Sequence, residues 1–185
     1  MKKYKIAVIV GSLRKESYNL KTAKTLIELA PESLSLEMLN IADLPMFNED
    51  LEDTPPKEWV TFREQIVAAD GILFLTPEYN RSVTGVLKNA IDVGSRPYGQ
   101  NSWDGKPAGI VSVSIGAISG FGANHHLRQS LVFVNMHTMA QPEAYIGGAG
   151  ALFNDEGKLT NDSTRDFLKT FMVAFEKWIA KNLQE

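Results

Sequence analysis

Residues 4–20 read YKIAVIVGSLRKESYNL, and their interpretation decides the fold. The run from Tyr4 to Val10 is apolar, rich in β-branched residues and too short for a helix, which predicts a buried strand. It stops at Gly11-Ser12. From Leu20 the small and apolar residues recur at Leu20, Ala23, Leu26, Ile27 and Ala30, one side of a helix over 20–30. A strand, a short polar loop and a helix form the opening unit of an α/β protein.

The same alternation continues to the end of the chain. Residues 33–39 alternate as a sheet-edge strand does. Residues 41–56, with Pro45, Pro55, Pro56 and several acids, read as a long surface connection. A helix starts at Lys57 and carries Trp59, Phe62, Ile66 and Val67. Two further short apolar runs, 71–75 and 107–114, are followed by helices over 84–93 and 121–135. A last strand is expected over 137–144. After a Gly-rich stretch, Asp162 or Ser163 caps a final helix through Leu183, with Phe167, Leu168, Phe171, Phe175, Trp178 and Ile179 facing the sheet. Five strands alternating with five helices predict one doubly wound domain over 1–185, its parallel sheet covered on both faces.

Composition narrows the function. With 19 basic and 22 acidic residues the net charge is −3, so general nucleic-acid binding is not expected. The chain has no cysteine, which excludes disulfides, thiolate nucleophiles, iron–sulfur clusters and thiolate zinc sites. The first apolar run reads as a strand rather than a signal peptide, and no stretch is long enough to insert in a membrane; a cytoplasmic location is the expectation.

In an open parallel sheet, ligands bind beyond the carboxyl ends of the strands, near the point where strand order reverses. Three loops meet that description. The first, GSLRKESYN over 11–19, offers Ser12, Ser17 and Asn19 as polar side chains, Arg14 as a cation, and the amides of a helix N-terminus. That set suits a phosphate; a helix cap beside a solvated Arg14 would use the same residues. With neither Gly-Lys-Ser/Thr nor G-x-G-x-x-G, it is neither a P-loop nor a dinucleotide fingerprint. The second loop, TPEYNRSV, supplies Pro77, Glu78, Tyr79 and Asn80, the wall and directed contacts that a planar heterocycle needs, or a plain polar turn with Ser82 or Thr84 capping the next helix. The third, SIGAISGFGAN, carries Ser114 and Gly116 and allows close backbone approach. Together, a phosphate grip, a ring wall and a glycine-lined floor suit flavin mononucleotide.

On GSLRKESYN, on TPEYNRSV with GVLKNAIDVGSRP after it, and on SIGAISGFGA, the sequence resembles the NAD(P)H-dependent FMN reductase family of flavodoxin-like proteins, which includes quinone and chromate reductases. The resemblance covers nearly the whole chain. It implies a five-stranded parallel sheet of order 2-1-3-4-5 and non-covalent FMN, with NAD(P)H as co-substrate. It assigns the FMN phosphate to Ser12, Arg14, Ser17 and Asn19 with the Tyr18 backbone, and the ring and ribityl chain to Pro77, Glu78, Tyr79 and Asn80, with Ser114 and Gly116 at the rim. It also implies a homodimer or homotetramer built through helices 84–93 and 121–135. Where many relatives have an aromatic residue after PEYN, this chain has Arg81, which suits either an anionic substrate or plain solvent.

The expected reaction passes hydride from NAD(P)H to FMN and then reduces a small acceptor such as a quinone, with no side chain named as catalytic. The alternative is a flavodoxin-type electron carrier, whose usual strong acidity a charge of −3 does not match. No metal site is expected from His125, His126 and His137, which lack convergent spacing. A tyrosine phosphatase of similar architecture needs a loop cysteine, and a response-regulator receiver needs an Asp where this chain has Leu75-Thr76-Pro77.

Overall fold

The computed structural model describes residues 3–183. Its elements run β1 (Tyr4–Val10), α1 (Tyr18–Glu28), β2 (Leu34–Met38), α2 (Lys57–Ala68), β3 (Gly71–Thr76), α3 (Gly85–Gly94), β4 (Pro107–Val113), α4 (Phe121–Phe133), β5 (His137–Thr138), β6 (Ala144–Ile146) and α5 (Asp162–Asn182). The parallel strands lie in the order β2-β1-β3-β4-β5, with β6 also pairing β4. This is the flavodoxin-like arrangement expected from the sequence.

Alternation along the central strands builds two cores. Ile72 and Phe74 of β3 face Trp59, Phe62, Trp103 and Leu127 on the side of α2, α3 and α4. Leu73 and Leu75 face Leu26, Phe171, Phe175 and Ile179 on the side of α1 and α5. Every residue of β3 and β4 is buried, which explains why both read as unbroken apolar runs.

Two expectations are corrected. The strand predicted over 137–144 is two short strands. The Met139 amide still donates to the Ala108 carbonyl, residues 140–143 then leave the ladder, where Pro142 has no N–H to give, and pairing resumes with Val111 opposite Ala144 and continues to Ile146. The cap of α5 is Asn161, whose Oδ1 accepts from the Thr164 amide at 2.9 Å, so Asp162 and Ser163 fall inside the first turn.

The stretch 41–56 is the surface connection expected, and it is pinned to the body at several points. Ile41 and Leu44 are buried, Phe47 stacks on Trp59 with ring centroids 5.5 Å apart, and Trp59 Nε1 donates to the Pro45 carbonyl at 2.9 Å. Asn89 of α3 accepts from the Phe47 amide at 2.7 Å and donates to the carbonyls of Leu44 and Pro45. Arg96 clasps the far end, its guanidinium bonded to Glu49 and Glu52. That pairing, through the hydrogen bond above all, holds the Glu52 carboxyl below its usual range.

Candidate functional site

The loop between β1 and α1 begins tightly anchored. The Gly11 amide donates to the Leu75 carbonyl at 2.8 Å, and the Gly11 carbonyl accepts from the Thr84 hydroxyl at the same distance. The loop therefore starts against β3 and the N-terminus of α3. It ends at Ser17, whose hydroxyl accepts from the Leu20 amide at 3.3 Å and caps α1, two residues earlier than the predicted helix start. The amides of Tyr18 and Asn19, in the first turn, have no partner four residues back in the helix. Arg14 and Lys21 both stand 5.5 Å from the centre of the Tyr18 ring, and Lys21 is paired with Glu16. The hydrogen bond from Lys21 holds the Glu16 carboxyl below its usual range. These contacts keep Arg14 beside the helix N-terminus.

Asn19 is 3% exposed. Its Nδ2 donates to the Val113 carbonyl at 3.2 Å, joining α1 to the end of β4, while its buried Oδ1 has no partner among the described residues. A bare buried acceptor costs about 1–3 kcal/mol, so this oxygen asks for a donor.

The loop after β3 is a two-residue hairpin. Tyr79 and Ser82 exchange both backbone hydrogen bonds at 3.0 Å, and Asn80 and Arg81 between them have φ of 52° and 64°. Left-handed backbone at both central positions is the turn that Asn-Gly favours. Asn tolerates it, whereas a residue such as Arg is destabilised by about 1–2 kcal/mol. The Glu78 side chain, 10% exposed, turns away from the loop tip. Its Oε2 accepts from the Ala123 amide at 3.1 Å in the first turn of α4, and its Oε1 accepts from Arg81 Nη1 at 3.2 Å. The helix needs that help, because its N-cap is Gly120, left-handed at φ 74° and without a side chain. Gly122 lets the two parts meet: a Cβ there would stand 2.9 Å from the Arg81 carbonyl oxygen and 3.0 Å from Glu78 Oε2. Thr84, rather than Ser82, caps α3, accepting from the Leu87 amide at 3.4 Å.

The loop after β4 is held by Ser114, whose hydroxyl accepts from the Gly116 amide at 3.1 Å and whose backbone bonds to Ile146 and Ala149. Ile115, Gly116 and Ile118 are exposed. One cleft of about 260 Å³ unites the three loops. It is lined by Ser12, Arg14, Ser17, Tyr18, Asn19, Pro77, Glu78, Tyr79, Val113, Ser114 and Ile115. Of the residues expected from the sequence, Asn80, Arg81 and Gly116 are outside this lining, on the exposed loop tips. Val113 and Ile115 were not anticipated; each adjoins the predicted Ser114, and alternation past a buried strand was the available signal.

The histidines serve separate contacts. His125 Nε2 meets the Tyr145 hydroxyl, His126 Nδ1 meets the Ser82 hydroxyl, and His137 Nδ1 meets Asn182 Oδ1, each at 3.0 Å. Burial first, then the neighbouring Glu143, pushes the Tyr145 hydroxyl up to about 12. A larger groove, about 790 Å³, runs between α3 and α4 and includes Val83, Ile91, Phe133 and Val134.

The chain matches known proteins over most of its length. A family model described as NADPH-dependent FMN reductase matches residues 4–151. A quinone reductase of Pseudomonas putida is 62% identical over 97% of this chain and 96% of its own. A 2-hydroxy-1,4-benzoquinone reductase of a Burkholderia species is 43% identical, over 95% and 96%. Among solved structures, the flavoenzyme NAD(P)H:(acceptor) oxidoreductase FerB of Paracoccus denitrificans superimposes with a TM-score of 0.91 at 43% identity, covering 97% of this chain and 98% of that one. The chain belongs to the NADPH-dependent FMN reductase family.

Proposed function

We propose that the chain is an FMN-containing oxidoreductase that oxidises NAD(P)H and reduces a quinone or a similar small acceptor. The carrying observation is the convergence of a cation, two hydroxyls, free helix amides and an aromatic ring on one cleft at the carboxyl edge of β1, β3 and β4. FMN fits that donor set. In this reading the hydroxyls of Ser12 and Ser17, the Arg14 guanidinium and the amides of Tyr18 and Asn19 hold the phosphate, with the positive end of the α1 dipole behind them. The unpartnered Asn19 Oδ1 is an acceptor, so it suits a ribityl hydroxyl and not a phosphate oxygen.

At about 260 Å³ the cleft is small for a whole drug-sized ligand. It would hold the phosphate and chain, and Pro77, Tyr79 and Asn80 would wall the ring, with Ser114 and Gly116 at the rim. Glu78 contributes through its backbone, since its carboxylate serves α4 and Arg81. The Tyr79 amide is already given to Ser82, and among the described residues the amides of Glu78 and Asn80 have no acceptor. Those two are the donors able to steady negative charge on the ring edge. When bound, FMN supplies the redox chemistry, taking hydride from the nicotinamide and delivering electrons to the acceptor.

Purified protein should carry flavin absorbance, or gain it after FMN addition and desalting, and NAD(P)H should bleach it. A protein that stays colourless after FMN addition would overturn the assignment. Bound flavin that NAD(P)H leaves oxidised would favour the electron-carrier reading, which the reductase names of the close relatives disfavour.

The groove between α3 and α4 has a second copy of the chain as its proposed occupant. Phe133 projects beside it at 90% exposure, next to exposed Val132, on the faces that the family resemblance assigns to self-association.

A further inference from the structure

Arg81 is the one arginine or lysine among the described residues with left-handed backbone, and nothing in the fold requires an arginine there. The turn it occupies is completed by the paired hydrogen bonds of Tyr79 and Ser82, and glycine would satisfy the same backbone without strain. A non-glycine residue kept in that conformation points to a side chain that is used.

Its surroundings say how. The stem is fixed: the hairpin is closed on both sides, Ser82 is tied to His126, and the Arg81 carbonyl packs against Gly122. The head is free. The side chain is 71% exposed and, among the described residues, makes one hydrogen bond, from Nη1 to Glu78 at 3.2 Å. Glu78 is committed to the Ala123 amide through its other oxygen and stays put if Arg81 leaves. An exposed single-point pair of this kind is weak. An incoming dianion able to accept two parallel N–H bonds would displace it.

Arg81 is three residues from Glu78 and two from Tyr79, which line the cleft, yet it stands outside that lining. Its head therefore reaches a part of the bound molecule that lies outside the ring site. We propose that Arg81 is a specificity residue that binds the 2′-phosphate of NADPH and favours NADPH over NADH. The proposal rests on the flavin-reductase reading of the adjoining cleft. Of the groups a nicotinamide dinucleotide leaves outside the ring site, the pyrophosphate carries one negative charge on each phosphate and is common to both donors, whereas the 2′-phosphomonoester concentrates its charge on one phosphorus and distinguishes them.

The test compares the FMN-loaded parent with Arg81→Gly, Arg81→Ala and Arg81→Lys. Arg81→Gly removes the cation while relaxing the turn. Each variant is assayed with NADPH and with NADH against an uncharged quinone. Binding of adenosine 2′,5′-bisphosphate and of 5′-AMP is measured in parallel by calorimetry. Loss of charge-assisted hydrogen bonds should lower kcat/KM for NADPH about ten-fold or more relative to NADH, through KM. The bisphosphate should weaken by a similar factor relative to 5′-AMP, with Arg81→Lys intermediate. A donor ratio that moves less than two-fold in Arg81→Gly, or equal losses with both donors and both nucleotides, overturns the proposal. Those results would come with flavin retained and bleached by NADH, so they differ from failure of the flavin assignment, in which the parent itself holds no FMN.

Discussion

Glu78 and Ala123 are 45 positions apart in sequence, and the Glu78 carboxylate accepts the Ala123 amide at 3.1 Å. The loop after β3 thereby supplies the N-terminal cap that Gly120 cannot give α4. Hairpin and helix become one unit, with a negative charge at the positive end of the helix dipole. Glu78→Ala should lower stability by about 1–2 kcal/mol in urea denaturation. Glu78→Gln, which keeps an acceptor oxygen, should lose less. An unchanged midpoint in Glu78→Ala would show that the contact carries no weight.

Arg14 supports no element of the fold; it stands over the Tyr18 ring at the mouth of the cleft. Arg14→Ala should therefore weaken FMN binding by about ten- to a hundred-fold, the loss expected for charge-assisted hydrogen bonds of about 1.5–3 kcal/mol. The unfolding midpoint of the flavin-free protein should stay within about 0.5 kcal/mol of the parent, as for surface changes elsewhere. Flavin titration by fluorescence quenching decides it: parental affinity in the variant would remove Arg14 from the phosphate site.

Asn89 is 3% exposed and serves three backbone groups of the 41–56 stretch at once. Removing it strands the Phe47 amide and the Leu44 carbonyl, and leaves the Pro45 carbonyl with Trp59 Nε1 alone. At about 1 kcal/mol for each bond lost, Asn89→Ala should destabilise the protein by about 3 kcal/mol. Hydrogen exchange should speed up at Phe47 before it does in β3. Slow exchange at Phe47 in a destabilised variant would mean the stretch is held by Phe47–Trp59 stacking instead.

The Glu52–Arg96 pair gives stability a pH dependence whose sign is fixed. The Glu52 carboxyl lies below its ordinary 4.5 in the folded chain, chiefly through its hydrogen bond from Arg96. A group depressed on folding contributes fully above its unfolded value and loses that contribution as pH falls through the folded one. Stability should therefore drop as pH descends below about 4.5, and Glu52→Gln should flatten that limb while leaving the shape near neutrality alone. Parallel acid limbs for parent and Glu52→Gln would assign the drop to other carboxyls, such as Glu16 beside Lys21.

What the sequence made legible follows from how local each signal is. The runs in β1, β3 and β4 are buried on both faces, so apolar continuity alone marks them, and the carboxyl ends of those strands locate the cleft. The tethering of the 41–56 stretch was not legible because it depends on Asn89 and Arg96, some 40 residues away, and nothing in its own proline-rich, acidic composition encodes them. The capping role of the Glu78 carboxylate was not legible for the same reason: its partner belongs to α4. The hairpin at Asn80-Arg81 lacks the glycine that announces such a turn, and that missing glycine turns out to be the informative feature.

Phe133 tests the assembly. It ends α4 with its ring 90% exposed beside a groove that also presents Val83, Ile91 and Val134. In a two-fold dimer the same ring is buried twice, and fully burying a phenylalanine stabilises by about 1.5–3 kcal/mol. Phe133→Glu then removes about 3–6 kcal/mol from association and adds two unpaired charges to a dry interface. Light scattering at micromolar concentration should report the monomer mass of 20.5 kDa for the variant and a multiple of it for the parent. Circular dichroism should be unchanged, because the side chain packs against nothing within its own chain at that exposure. A variant that keeps the parent's mass would place the self-association surface elsewhere and leave the α3–α4 groove without an occupant.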